Sequence, residues 1–236
     1  MYHVTTSGSH SLAGAPLFAG LDGDDIRALD RRCHWRRVEA GGWVIDPNAG
    51  GDEVYFVLSG HAHVVIARPP REVILGDIRD GDFVGELSAI DSKPRSGGIR
   101  AVTDVVAAVM PAAAFREAIR NHPIVAERVL QRVVLMARGL ISRAEEQSNF
   151  DVRARLCAEL LRLARVGAGN RLIVSPPPTH VELAARIGAR REVVTKLLSA
   201  MRSEGILQRS RGALTLIAPD RLREIIAEAE QGRRHL

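Results

Sequence analysis

The apolar residues of this chain change their spacing at Pro111, and that change restricts the fold to a β-rich half followed by a helical half. Between Cys33 and Met110 the apolar residues come in short runs rich in β-formers. Examples are Val54-Tyr55-Phe56-Val57-Leu58, His63-Val64-Val65-Ile66 and Val105-Val106-Ala107-Ala108-Val109. Turn signals separate them at Gly41-Gly42, Asn48-Ala49-Gly50-Gly51, Ser59-Gly60, Gly76-Asp77 and Asp80-Gly81-Asp82. Closely spaced short strands joined through glycine turns predict a small antiparallel barrel or roll. Ahead of it, Pro16 to Arg32 reads as short helical turns. Leu17, Phe18, Leu21, Ile26 and Leu29 form their apolar side, and Asp22, Asp24 and Asp25 lie near a helix start.

Beyond Pro111 the period becomes helical. Ala112 to Arg120 predicts a short helix, stopped by Asn121-His122-Pro123. A long helix follows, from about Pro123 to Gln147, with two adjacent apolar stripes. One is Val129, Val133, Met136 and Leu140; the other is Leu130, Val134, Ala137 and Ile141. Their combined width exceeds one ordinary surface contact. The first stripe has the a/d spacing of a coiled-coil seam, so Val129, Val133, Met136 and Leu140 are expected to face a second copy of the chain while the other side packs on the roll. Ser148-Asn149-Phe150-Asp151 interrupts the helix, with Asn149 or Asp151 as the cap of the next one, Val152 to Val166. The expected organisation is α+β: a jelly-roll-like β-roll over 1–120, a dimerisation helix and hinge over 121–150, and a DNA-binding domain over 151–236.

The last segment is where the charge lies. Residues 151–236 carry 16 Arg and Lys against 9 Asp and Glu, a balance of +7, whereas residues 1–150 carry 17 against 19. Basic clusters attract phosphate and release counterions from nucleic acid. Within this segment, Thr179 to Met201 has helix-turn-helix offsets: Leu183 inward, a small Ala184 at the crossing, Ile187 closing the first helix, and Gly188 where a positive φ is needed. Val194 and Leu197 then hold a second helix that starts near Ala189-Arg190-Arg191 and runs to Arg202. Its exposed side offers Arg190, Arg191, Glu192 and Lys196. Arginine can donate twice to guanine O6 and N7, and a carboxylate can accept from cytosine N4. Thr179 is placed to donate to a phosphate. Around Leu172-Ile173-Val174 lie turns at Gly167-Ala168-Gly169-Asn170 and Pro176-Pro177-Pro178. Farther on, Gly205-Ile206-Leu207 and Ala213 to Ile217 flank Gln208-Arg209-Ser210-Arg211-Gly212, a hairpin wing with a basic tip. The expected partner is double-stranded DNA.

A second motif is Asp82-Phe83-Val84-Gly85-Glu86-Leu87-Ser88, followed by Lys93-Pro94-Arg95-Ser96. Gly85 lets backbone approach a ligand, free N–H groups at a helix start favour an anion, and Arg95 offers a fork for phosphate oxygens. Ser96 adds a hydroxyl, and Glu86 can accept from a sugar hydroxyl. These residue types also suit a surface salt bridge and a helix cap, and composition alone does not separate the two readings.

From Pro16 to about Pro219 the chain resembles the cyclic AMP receptor protein family of bacterial transcription regulators, in the Crp/Fnr superfamily. The resemblance rests on Gly85-Glu86-Leu87…Arg95-Ser96, the long helix, and Arg191-Glu192…Lys196. It implies an N-terminal cyclic-nucleotide-binding β-roll and a C-terminal winged helix-turn-helix. In that reading Glu86 binds the ribose 2′-hydroxyl, Arg95 and Ser96 hold the cyclic phosphate, and Val84, Gly85, Leu87 and Ser88 line the turn. Arg191, Glu192 and Lys196 would read half-sites resembling TGTGA, palindromically arranged, with Arg209 on the backbone. The resemblance implies a homodimer, contact with RNA polymerase, and a ligand that shifts the dimer towards reading helices about 34 Å apart. Two departures stand out. The family's cyclic AMP binders give a Thr-Ser pair from the dimer helix to the purine, and here Ser142, Arg143 and Ala144 fall there. Arg143 suits guanine and Ser142 suits adenine, so cyclic AMP is the ligand expected, with cyclic GMP the alternative. In the reading helix, Arg190 replaces a small polar residue and Val193 a threonine.

Other classes find little support. Two cysteines, Cys33 and Cys157, are too few for a cluster or a cysteine zinc site; buried reduced thiols are expected. His61 and His63 share one strand face, an arrangement a haem or metal sensor could use. With no third ligand apparent in the sequence, exposed strand histidines are the expectation, and no metal is expected. No nucleophile with a base, no metal spacing and no Walker motif points to an enzyme, and the winged helix is the sole effector domain that a nucleotide-gated subunit would have. No apolar run approaches the ~18 residues of a membrane span. Met1-Tyr2-His3-Val4-Thr5-Thr6 lacks a secretion-signal layout, so a soluble cytoplasmic protein, not a membrane protein, is expected.

Overall fold

Alternate residues of one strand serve two different cores, which explains why Val54 to Leu58 reads as an unbroken apolar run. In the computed structural model, which describes residues 10–68, 71–210 and 212–231, the chain forms two compact units that meet in sequence at Leu135 and Met136. The first unit begins with short 3-10 turns and α1 (Gly23–Asp30), capped by Asp22 through its Oδ1 at 2.8 Å from the Asp25 N–H. Then come β1 (His34–Val38), β2 (Trp43–Ile45), β3 (Val54–Ser59), β4 (His61–Arg68), β5 (Arg71–Arg79), β6 (Phe83–Val84), α2 (Glu86–Asp91), β7 (Gly98–Ala101), β8 (Val105–Met110) and α3 (Ala112–Asn121), before α4 (Pro123–Asn149) starts. Two antiparallel sheets result, ordered β1-β8-β3-β6 and β2-β7-β4-β5.

Between these sheets lies an aliphatic core that includes Tyr55 and Val57 of β3, Ala107 and Val109 of β8, and Ala62, Ile78 and Ile99 of the second sheet. The opposite face of the first sheet carries Val54, Phe56, Ala108 and Met110 into a second core with Phe18, Phe83, Phe115 and the start of α4. Phe56 is at the centre of the aromatic cluster, with ring centroids 5.1 Å from Phe18, 6.0 Å from Phe83 and 6.4 Å from Phe115.

Two expectations need correction here. Gly76-Asp77 is not a turn but lies inside β5. The pairing with β4 slips between Val64 and Val65, so that Val64 faces Gly76 and Val65 faces Ile74. The glycine marks a β-bulge. Val129, expected on the dimer seam, is buried with Val125 in the roll's aromatic core, and Arg128 fastens the same turn by donating to the carbonyl of Leu17 at 3.0 Å. Val133 and Met136 are half-buried. The stripe left exposed is the neighbouring one, with Leu130 at 64%, Val134 at 44% and Ile141 at 60% exposure; Leu140 is 44% exposed. The helix expected as a separate hinge segment is therefore shared between the two units.

The second unit holds the rest of α4, then α5 (Val152–Leu163), β9 (Arg165–Val166), β10 (Leu172–Val174), α6 (His180–Ile187), α7 (Arg191–Ser203), β11 (Leu207–Ser210), β12 (Ala213–Leu216) and α8 (Pro219–Gln231). Asp151 caps α5 through its Oδ1, 2.8 Å from the Ala154 N–H. A small antiparallel sheet, β11-β12-β10-β9, packs with α5, α6, α7 and α8 around Leu156, Leu160, Leu183, Val194, Met201 and Leu222. This is the winged helix expected. Arg211, expected in the basic tip of the wing, and residues 232–236 lie outside the described residues.

Both tryptophans, Trp35 and Trp43, belong to the first unit, so their fluorescence follows its unfolding. Phe56→Ala removes the hub of the aromatic core and should cost about 3–5 kcal/mol in a denaturant titration followed by tryptophan emission. An unchanged transition would show that the core does not depend on this ring.

Candidate ligand cradle and nucleic-acid interface

Gly85 stands between β6 and α2 with φ of +94°, and a Cβ there would come within 2.5 Å of the Glu53 carbonyl oxygen and 2.8 Å of Arg95 Nη1. Only glycine combines that backbone conformation with that approach. Into the space steps Arg95, whose side chain is 5% exposed. Its Nη1 donates to the Gly85 carbonyl at 3.3 Å; its Nη2 donates to the Glu53 carbonyl at 2.9 Å and to Glu53 Oε2 at 3.2 Å. The guanidinium thus leans on backbone carbonyls and on one carboxylate that is 39% exposed.

Next to it, Glu86 is buried in the first turn of α2. Burial pushes its carboxyl above the usual carboxylate range, against the pull of the Glu86 and Gly85 backbone N–H groups and of the Arg132 and Arg95 charges. Val84 and Ser88 are buried, Leu87 is half-buried, and Ser96, next to Arg95 in sequence, is exposed. Glu53 and Arg132 were not legible as members of this cradle. Glu53 comes from the turn before β3 and Arg132 from α4, where it also lies 3.9 Å from Asp82. Ser142 and Arg143, expected at the purine, have partners within the second unit. Ser142 donates to Glu146 at 3.3 Å; Arg143 is 3.4 Å from Glu159 Oε2 and donates to the Arg186 carbonyl at 3.4 Å.

In the second unit the helix-turn-helix is assembled by local rules. Thr179 caps α6: its Oγ1 accepts from the Glu182 N–H at 3.2 Å while the Glu182 carboxylate accepts from the Thr179 N–H at 2.6 Å. Because the hydroxyl oxygen is the acceptor, its own O–H remains available to a phosphate. Gly188 ends α6 at φ +63°. Val194, Leu198 and Met201 anchor α7, which leaves Arg190, Arg191, Glu192, Thr195 and Lys196 exposed. Arg209 is exposed on β11.

Sequence reasoning passed over two residues here. His180 Nδ1 lies 2.8 Å from Thr195 Oγ1, and its pKa is lowered by partial burial and by the charges of Arg209, Arg202 and Arg191. Arg202 of α7 and Arg209 of the wing line one hollow together with His180.

The same layout recurs in proteins of known family. A cyclic nucleotide-binding domain model matches residues 35–122, and a Crp-like helix-turn-helix domain model matches residues 154–225. The CRP-like cAMP-activated global transcriptional regulator of Mycobacterium tuberculosis is 31% identical over 198 residues, which cover 82% of this chain and 88% of the relative. The chain belongs to the Crp/Fnr family of transcription regulators. The cyclic AMP receptor protein of Thermus thermophilus is 26% identical over 215 residues, 91% of this chain and 98% of that protein. Among solved structures, a CooA mutant from Carboxydothermus hydrogenoformans superimposes with a TM-score of 0.74 at 19% identity, covering 84% of this chain and 90% of that one; it shows the shared fold alone.

As a Crp/Fnr regulator, the chain has relatives that control transcription rather than catalyse reactions. No helix among the described residues is long and apolar enough to cross a membrane. Cys33 is half-buried and Cys157 fully buried, and burial pushes both thiols up to about 12.

Glu86 yields a pH-dependent prediction. A carboxyl whose pKa is raised by folding favours the folded state below the carboxylate range and disfavours it once pH climbs through the raised value. Glu86→Gln should therefore raise the thermal midpoint of the ligand-free protein at neutral and alkaline pH. That advantage should close as pH falls through the carboxylate range. Scanning calorimetry across pH checks it, and a gap that did not narrow on acidification would contradict it.

Proposed function

We propose that this protein is a homodimeric, cyclic-nucleotide-dependent transcription regulator that binds cyclic AMP, with cyclic GMP as the competing ligand. The observation that supports this most is Arg95, buried under Gly85 with its fork directed at backbone and Glu53. A cyclic phosphate presented there would compete with the Glu53 carboxylate for the same guanidinium, and Ser96 would add a hydroxyl. Glu86, once ionised, would accept from the ribose 2′-hydroxyl. The relative from M. tuberculosis is described as cAMP-activated, which favours adenine over guanine.

On the DNA side, Arg191, Glu192 and Lys196 would read bases in half-sites resembling TGTGA and arranged as a palindrome. Thr179, Arg190 and Arg209 would hold phosphates, with His180 and Thr195 beside them. The dimer seam in this reading is Leu130, Val134, Ala137 and Ile141 of α4, an exposed stripe with coiled-coil spacing. Leu140, Met136 and Val133 would lie at its edge. The protein would act in the cytoplasm on double-stranded DNA together with RNA polymerase.

Calorimetry with cyclic AMP and cyclic GMP side by side, followed by a DNA mobility shift with each, tests the ligand. Arg95→Leu should abolish binding of either nucleotide, since it removes the two-pronged donor that the phosphate would meet. Retention of wild-type affinity would refute the cradle. Failure of both nucleotides with intact DNA binding would move the reading to another small effector.

Arg191→Ala tests the reader. It should cost about 1–3 kcal/mol at one base position, measured by shifts on a set of single-base variants of the site. A uniform loss across all of them would make Arg191 a phosphate contact instead.

A further inference from the structure

The bulge that moved Gly76-Asp77 from a turn into β5 places Asp77 directly opposite His63 on β4. His61 lies two residues earlier on the same face, because Ala62 between them points into the aliphatic core. The two imidazoles are edge to face, with centroids 5.2 Å apart and an interplanar angle of 88°. Both turn the same nitrogen to the same atom: His61 Nε2 is 2.7 Å from Asp77 Oδ1, and His63 Nε2 is 3.4 Å from it. The three side chains are neither free nor sealed, at 14%, 11% and 19% exposure. Of the pair expected as exposed strand histidines, His61 is half-buried and His63 buried, and Asp77 is the third group that the sequence did not reveal.

From this geometry we infer a site for a divalent transition-metal cation of the zinc type, held by His61 Nε2, His63 Nε2 and the Asp77 carboxylate. One potential ligand atom from each of the three lies within 4.8 Å of the others. Around a tetrahedral zinc with bonds of about 2.0–2.1 Å, ligand atoms sit about 3.3 Å apart. The His63–Asp77 separation already matches; the His61–Asp77 one must open by about half an ångström, within reach of a side-chain rotation.

Two imidazoles with one carboxylate and no thiolate favour zinc-like ions over magnesium or calcium, which prefer all-oxygen shells. Solvent would complete the coordination. On binding, each coordinated Nε2 must present its lone pair, so any proton there moves to Nδ1 or leaves to solvent.

The surroundings do not oppose a cation. Arg100, which pairs with His63 across β7 and β4, is turned aside. Its guanidinium carbon lies 4.3 Å from the Trp43 ring centroid, and its Nη2 is 2.9 Å from Glu72 Oε1. Glu72 thus balances Arg100, and Asp77 supplies the negative charge for the metal. The chelate would join β4 to β5 beside the bulge. The inference does not rest on the cyclic-nucleotide reading, since none of its three ligands belongs to the Arg95 cradle.

The test uses the intact, chelator-stripped protein with zinc chloride in calorimetry, metal content after desalting, and cobalt(II) as a visible probe. The expected result is one zinc per chain, together with cobalt absorption of the intensity that four-coordinate nitrogen and oxygen sites give. His63→Ala and Asp77→Ala should each weaken zinc binding by more than the about 10–100-fold that losing even an outer partner of a metal ligand costs. His122→Ala, a histidine elsewhere in the first unit, should leave it unchanged. Asp77→Asn, which keeps shape and hydrogen bonding, provides the reading if either alanine variant fails to fold by circular dichroism. No zinc retained by the wild-type chain, or retention equal in the wild type and the Asp77→Asn variant, would overturn the site.

Discussion

Burial of β3 on both faces is the constraint from which the ligand-binding half of this regulator is built. Tyr55 and Val57 are locked into the core between the sheets while Val54 and Phe56 are locked into the aromatic core beneath them. A slip of one residue would exchange these two sets, so the register is strongly determined. That register then sets the cradle. Tyr55 pairs with Val84, which places Gly85 at the end of β6. Glu53, immediately before β3, presents both its carbonyl and its carboxylate to Arg95. The site is therefore anchored on a strand buried on both faces, although its polar groups come from loops and a six-residue helix.

In the second unit the corresponding anchor is a single carboxylate. Glu159 is 1% exposed, and its oxygens lie 3.3 Å from Arg186 Nη1 and 3.4 Å from Arg143 Nη2, with Arg162 also bonded to it. A buried charge held by three guanidiniums from three helices contributes little net stability relative to an apolar core, because desolvation offsets the attraction. Its effect is on geometry. It fixes α5 against the first helix of the reader, α6, and against the C-terminal part of α4. Arg162 also pairs with Glu146, so the excess positive charge of the cluster is partly neutralised from α4 as well.

Legibility in the sequence followed the range of the interactions. The helix-turn-helix was readable almost residue by residue, because Thr179, Ala184, Gly188 and Val194 act through offsets within one hairpin. The strands of the roll were readable from runs and turns. Gly76-Asp77 was misplaced because a glycine inside a bulged strand and a glycine in a turn present the same composition. Val129 reads as a seam residue although the roll buries it, because two adjacent apolar stripes on one helix are equivalent in the sequence. Glu53, Arg132 and Glu159 were missed for a stronger reason. Each matters through a partner distant in the chain, and neither periodicity nor spacing records which carboxylate meets which guanidinium.

Those unrecorded pairs bear directly on how a ligand-controlled state would be held. Arg95 has an anion, Glu53, and two carbonyl acceptors. A cyclic phosphate entering the proposed cradle would replace one negative charge with another, so much of its electrostatic attraction would be cancelled by the ion pair it displaces. The surplus then has to come from contacts that the resident carboxylate cannot make: the hydroxyl of Ser96, a sugar contact at Glu86, and burial of the base. Glu86 resists in the same way, because burial raises its pKa and a hydrogen bond from a sugar hydroxyl would favour the ionised form that burial disfavours. Both groups thus oppose a ligand that meets only one of them. A ligand that satisfies only the phosphate end gains little, whereas one that satisfies phosphate and ribose together gains both terms at once. In the proposed reading, discrimination between a cyclic nucleotide and a free phosphate would rest on the ion pair of Arg95 with Glu53.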